Sequence, residues 1–220
     1  MGRLVVLEPL AREHEQDLYR AAQDMDWAYM PYDPSWSPQA FRGWLEEALE
    51  RSQRGEQAAF AILQAASGQA VGSTRYMALR PEHRGLEIGW TWLRRSLWGT
   101  GANAEAKLLL LEHAFERLAC MRVELKTDAR NARSRAALEA LPARFEGIFR
   151  KHMLVGHDRS QVRDSAWYAI TDEEWPAVKA RLLARLARTL PGSRSSPGSR
   201  ALASEPRPAR STSAAAPRPP

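Results

Sequence analysis

The chain has 220 residues, 44% of them hydrophobic, a net charge of +6 and one cysteine, which is enough apolar mass for one packed domain. Cys120 alone excludes an intramolecular disulfide framework, and the five histidines lack ligand spacing, so no metal is expected. No apolar run reaches membrane-spanning length and the Leu4 to Leu7 run is too short for a signal peptide, so a cytoplasmic location and no membrane partner are expected.

In chain order, Arg3 to Leu10 reads as an edge strand and Arg12 to Gln23 as a helix with Leu18, Ala21 and Ala22 on its apolar side. An aromatic loop follows, with Trp27, Tyr29, Tyr32 and Trp36 among Pro31, Pro34 and Pro38, fit for a lid or a plain cover. Gln39 to Arg54 reads as a second helix through Phe41, Trp44, Leu45, Ala48 and Leu49. Ala58 to Ala65 and Ala70 to Leu79 read as strands joined across Ser67-Gly68, and Leu86 to Leu93 as the next strand.

The run Glu87 to Ala106, EIGWTWLRRSLWGTGANAEA, then sets a strand, a basic turn, a glycine loop and a helix start end to end. Gly99 and Gly101 free backbone N–H groups to turn toward a ligand, Asn103 is the expected cap, and the positive end of the helix favours a phosphate. Ala104, Leu108, Leu111, Phe115 and Leu118 predict one apolar stripe, and Glu105 reads as structural, answering the helix dipole.

Val123 and Leu125 alternate with Glu124 and Lys126 over 122–127, as in a half-buried strand. Cys120 just before it reads as a buried, inert thiol. Asn131 to Leu141 is a short helix, Arg144 to Leu154 with Arg163 to Thr171 a final strand pair, and Glu173 to Leu190 an amphipathic helix. From Pro191 to Pro220 the chain has seven of its fourteen prolines, seven serines and no aromatic residue, the composition of a disordered tail. Five arginines against Glu205 put most of the net charge there, which leaves residues 1–190 nearly balanced. A specific nucleic-acid partner is therefore not expected, although the tail could hold polyanions non-specifically.

The Gly99 to Ala104 string also fits a dinucleotide-binding turn. A Rossmann domain, however, opens with that fingerprint after its first strand, and here it arrives at residue 99. A Walker A loop is excluded because no Gly-Lys-Ser/Thr follows.

Taken together, several words resemble one family. They are Glu87-Ile88-Gly89-Trp90-Thr91-Trp92-Leu93, Trp98-Gly99-x-Gly101-x-x-x-Glu105-Ala106, Arg122-Val123-Glu124-Leu125, Asn131-Ala132-Arg133-Ser134-Arg135, Phe145-Glu146-Gly147, Arg163-Asp164-Ser165 and Asp172-Glu173-Glu174-Trp175. In this order they are similar to the GNAT N-acetyltransferases, in the branch that looks like the ribosomal-protein alanine acetyltransferases (RimJ/RimL-like). The resemblance implies an α/β (α+β) domain over residues 1–190, before the tail at 191–220. Its mixed, mainly antiparallel sheet of about seven strands would be flanked by helices and split in a V between the fourth and fifth strands.

The resemblance further implies acetyl-CoA as co-substrate in that split. The pyrophosphate would lie on N–H groups of Trp98, Gly99, Thr100, Gly101, Ala102 and Asn103, and the pantetheine arm along Thr91, Trp92 and Leu93, with Asn131 holding it. Asn131 equally suits a helix N-cap. Glu87 matches a family general base and Ser134 a position proposed to protonate the leaving thiolate, while a strand salt bridge and a first-turn serine are the structural readings of the same two residues. Tyr29, Tyr32 and Trp90 are the candidate walls for a primary amine, on a protein N-terminus or a small molecule, in a monomer or homodimer. A non-catalytic CoA-binding module and a nicotinamide-dependent oxidoreductase are the alternative functions. The chain departs from the family at Leu138, where many relatives have a tyrosine acid, and at Ser96, in place of a frequent phosphate partner, which leaves Arg94 and Arg95 as displaced candidates. At Pro142 it lacks the glycine that ends the fourth helix, and a rearranged turn is expected there, since proline disfavours the left-handed cap.

Overall fold

The structure is a computed structural model and describes residues 2–189, so the proposed tail at 191–220 lies outside the described residues. Seven strands form one sheet: β1 (Val5–Pro9), β2 (Ala58–Gln64), β3 (Ala70–Arg80), β4 (Gly85–Leu93), β5 (Arg122–Asp128), β6 (Arg144–Val155) and β7 (Gln161–Thr171). Their order is β1-β2-β3-β4-β5-β7-β6. Every neighbouring pair is antiparallel except β4 and β5. One parallel pair in an otherwise antiparallel sheet is not a doubly wound dinucleotide fold, which needs successive parallel crossovers.

Five helices cover the sheet: α1 (Glu15–Ala22), α2 (Pro38–Gln53), α3 (Ala102–Glu112), α4 (Ala132–Glu139) and α5 (Trp175–Thr189). Ser37 caps α2 by accepting from the Ala40 N–H at 3.1 Å, and Pro38 fills the first turn, where its missing N–H costs nothing. Leu18, Phe41, Trp44 and Leu45 of α1 and α2 pack on Ala59, Ala61, Leu63 and Trp92 of one sheet face. On the other face Leu86, Ile88, Val123 and Leu125 meet Leu108 and Leu111 of α3 and Val178, Leu182 and Leu186 of α5. No helix among the described residues is long and apolar enough to cross a membrane.

The ladder between β4 and β5 is short, pairing only Gly85 with Arg122, Leu86 with Val123 and Glu87 with Glu124. Beyond Glu87, β4 stays with β3 while β5 stays with β7, so the sheet splits between them. A β-bulge drives the divergence: Thr74 alone stands between Ser73 and Arg75, whereas Trp90 and Thr91 stand between Gly89 and Trp92. Trp90 takes a φ of +49°, an unusual conformation for an aromatic residue.

Several local expectations are corrected. Asn103 is not the cap of α3; the helix begins at Ala102 and Gly101 holds the cap position at φ +94°. Leu118 is exposed because α3 ends at Glu112 and runs into a wide π-type turn over His113–Arg117, which rotates Leu118 off the stripe. β5 is buried on both faces rather than half-buried, since Glu124, Thr127 and Asp128 are also covered. At Pro142 the end of α4 is closed by the Ala143 N–H, which reaches the Leu138 carbonyl at 3.1 Å.

Glu105 is structural, as expected, through contacts the sequence did not suggest. Its carboxylate accepts the backbone N–H groups of Arg3, Leu4 and Val5 at 2.8, 2.6 and 2.8 Å, pinning the N-terminal segment to α3. Cys120 is buried, and burial pushes its thiol pKa up, the behaviour of an inert cysteine.

Candidate active site

A cavity of about 350 Å³ opens where β4 and β5 part. Its lining includes Gly99 and Gly101 of the loop before α3, Glu87, Trp90 and Thr91 of β4, Lys107 of α3, Arg163 of β7 and Tyr29. Because side chains alternate along a strand, Ile88 packs toward α3 and its neighbour Glu87 faces the opposite side of the sheet.

Glu87 is 3% exposed, and Lys126 of β5 donates to its Oε2 at 2.6 Å. The Lys126 ammonium also lies 5.0 Å from the Trp167 ring, so the pair is braced from β7. The salt-bridge reading of Glu87 is therefore correct, and the same carboxylate lines the cavity.

The loop before α3 has the features of an anion cradle. Gly99 and Gly101 take φ of +77° and +94°, and an added Cβ at Gly101 would press on Thr189 Cγ2 at 3.1 Å. The N–H groups of Gly99, Gly101, Asn103 and Ala104 have no acceptor among the described residues. Those of Trp98 and Thr100 turn back onto the carbonyls of Arg95 and Leu97 at 3.0 and 3.4 Å, and that of Ala102 meets Thr100 Oγ1 at 3.4 Å. Trp98 instead contributes its ring: its Nε1 donates to the Leu93 carbonyl at 2.9 Å, and the Arg133 guanidinium lies 3.4 Å from the ring centroid. Arg95 stands 5.6 Å from the same ring, and the buried Nε of Arg94 has no partner among the described residues. Unpaired amides at a helix start beside arginines fit a pyrophosphate.

Along β4, Thr91, Trp92 and Leu93 all border the cavity. Thr91 Oγ1 is 2.8 Å from Thr74 Oγ1 and accepts from Lys107 Nζ at 2.6 Å, whereas the Trp92 ring is buried against Trp27 and Trp44. On α4, Asn131 Oδ1 accepts the Ser134 N–H at 3.0 Å, so the helix-cap role is real, and both residues line the cavity. Leu138 is buried and lines the cavity.

Tyr29 and Trp90 also form walls of the cavity. Tyr32 stands behind them, with its ring 5.3 Å from that of Trp90 and its hydroxyl on Glu47 at 3.1 Å. Burial and Glu47 push the Tyr32 pKa up to about 12, which keeps it neutral. Arg75 lies between Trp44 and Trp90, 5.2 and 4.9 Å from their centroids, so the wall is backed by a stacked guanidinium. Burial draws the Arg75 pKa down to about 10.

Sequence reasoning missed Lys107, Lys126 and Arg163. Lys107 left one signal, a cation inside the otherwise apolar run Ala106 to Leu111 of a helix covered on nearly all sides. Burial draws its pKa down to about 7, against the pull of Glu87. Lys126 and Arg163 reach the cavity only through strand pairing, which no local pattern reveals.

Comparison with known proteins agrees with this geometry. Residues 4–144 match the family described as "Acetyltransferase (GNAT) domain". A GCN5-related N-acetyltransferase from Brucella melitensis is 33% identical with a TM-score of 0.78, covering 85% of this chain and 84% of that one. A protein from T. thermophilus, provisionally described as an acetyltransferase, is 42% identical with a TM-score of 0.75, covering 84% and 95%. Mycobacterium smegmatis RimJ, in a complex with CoA-disulfide, is 23% identical with a TM-score of 0.67 over 82% and 88%, a likeness of fold. No curated protein matches the chain. With the sheet parted beside a glycine-opened helix and the family match spanning residues 4–144, the chain belongs to the GNAT family and is an N-acetyltransferase.

Proposed function

We propose that this protein transfers acetyl from acetyl-CoA to a primary amine by direct attack in a ternary complex, as a RimJ/RimL-like enzyme. The observation that carries the reading is the cleft at the β4–β5 split, with unpaired loop amides and a buried carboxylate, Glu87, on its wall. Acetyl-CoA supplies an already activated acyl group, so the protein needs only to orient the pair and manage protons.

The amides of Gly99, Gly101, Asn103 and Ala104, helped by Arg133, hold the pyrophosphate, and the free edge of β4 from Thr91 to Leu93 takes the pantetheine amides. Asn131 orients the start of α4, and the Ser134 hydroxyl, which has no partner among the described residues, hydrogen-bonds at the sulfur. The amine enters past Tyr29 and Trp90 and gives its proton to Glu87, directly or through water. At pH 7 roughly a tenth of an α-amine but under a thousandth of a lysine side chain is neutral. Modest base assistance therefore favours an α-amine acceptor, such as a protein N-terminus.

Acetyl-CoA titrated against tryptophan emission is expected to saturate, since Trp90, Trp92 and Trp98 border the cleft, whereas NADH gives no response. Thiol release measured with a panel of peptide N-termini and small amines is then expected to select α-amines. Saturation without turnover on any amine would overturn the catalytic assignment.

A further inference from the structure

Lys107 is a buried amine that the chemistry above leaves unused. It projects from the second turn of α3 onto the cavity from the α3 side, while Glu87 lies on the opposite face of the split. Its Nζ makes one hydrogen bond, to Thr91 Oγ1 at 2.6 Å, and no ion pair is formed at this nitrogen among the described residues. An ammonium carries three donors and a neutral amine two with a lone pair, so most of its bonding capacity addresses the cavity. Leaving so much unsatisfied in a fully buried amine is costly unless a ligand completes it.

On α4, which borders the cavity through Arg133, Ser134, Ala137 and Leu138, no acid suited to the departing sulfur is present. Leu138 is aliphatic, and the Ser134 hydroxyl is too weak an acid to surrender a proton at neutral pH. We infer that Lys107 supplies this proton: its Nζ, held by Thr91, hydrogen-bonds the CoA sulfur and protonates it as the thioester is broken.

The inference rests on the acetyl-CoA reading of the cleft. The balance closes without a further reactant. The amine nitrogen bonds to the carbonyl carbon and the carbon–sulfur bond breaks. The sulfur takes a proton from Lys107, Glu87 takes one from the neutral amine, and exchange with solvent removes the proton from Glu87 and returns one to Lys107. The charged groups facing the same cavity are Asp26 on the loop after α1, Glu87 on β4, Lys126 on β5, Arg133 on α4, Arg163 on β7 and Arg185 on α5. Lys126 is neutralised by Glu87, and of these groups Glu87 is the one that raises the Lys107 pKa. With its pKa at about 7, Lys107 is a strong enough acid for a thiolate, whose conjugate thiol ordinarily ionises near 8.5, and it is reloaded at neutral pH.

The test uses CoA itself and reads the ultraviolet absorbance of its thiolate in the complex at pH 7 to 8. The wild-type protein is expected to hold a thiolate fraction several times that of free CoA, and Lys107→Met and Lys107→Gln are both expected to return it to the free level. The two substitutions are expected to leave CoA affinity within about threefold, lower kcat by about a hundredfold, and abolish the alkaline fall of the pH profile. Equal thiolate signals in wild type and either variant, with CoA bound, would overturn the role of Lys107 alone. Failure of CoA to bind the wild-type protein would overturn the cleft reading and this inference together. Acetyl transfer onto Lys107, found by peptide mass spectrometry after incubation with acetyl-CoA, would make it a nucleophile and also overturn the inference.

Discussion

The Lys126 ammonium donates to Glu87 Oε2 at 2.6 Å across the last rung before β4 and β5 part. The ion pair fixes the carboxylate at the start of the split, and its second oxygen has no hydrogen-bond partner among the described residues. Glu87→Gln should lower kcat by about a hundredfold and move the rising limb of the pH profile to higher pH, where the amine loses its proton unaided. A profile unchanged in shape would leave Glu87 with the salt bridge alone.

Removing the partner has a different signature. Lys126→Met leaves a buried carboxylate without its cation, a change that typically costs about 3–5 kcal/mol. Thermal unfolding is expected to drop accordingly, and chemical denaturation of the same variant gives the magnitude.

Glu105 joins α3 to the N-terminal segment through three backbone N–H groups. Glu105→Ala strips all three acceptors, so stability should fall by about 3 kcal/mol or more, while kcat measured well below the melting temperature stays within about twofold of wild type. Calorimetry and steady-state rates check the two halves separately.

The buried amine of Lys107 makes stability depend on pH. Its pKa is about 7 in the folded protein against an ordinary 10.5, so between those values the unfolded chain binds more protons. Stability therefore rises with pH across that window and lacks this contribution at and below pH 7. Lys107→Met should be more stable than wild type at pH 7 by a few kcal/mol, on the order of the desolvation it removes. That advantage should shrink steadily toward pH 10.5, as unfolding at four or five pH values would show.

Much of the fold was legible in local patterns. Alternation marked the strands, and the spacing of Leu18, Phe41, Trp44 and Leu45 marked the faces of α1 and α2, since these periods follow directly from backbone geometry. The glycine loop and Glu87 were legible for a similar reason, because each lies within a contiguous word whose chemistry is local. The cap of α3 was misread because Asn103 and Gly101 both suit a helix start, and only the actual path of the chain chooses between them. Leu118 was misread because a wide turn interrupts a period that the sequence alone continues.

The sequence by itself determined the strands and helices, the position of the glycine loop and the family to which the chain belongs, since all of these depend on residues close together along the chain. Only the tertiary structure decided that Lys126 would meet Glu87, that Glu105 would hold the amides of Arg3 to Val5, and that Lys107 would be buried on Thr91 facing the same cavity. These contacts join residues 16 to 102 positions apart. Their chemistry is set by burial and by the charges brought alongside, both of which exist only once the sheet has assembled and split.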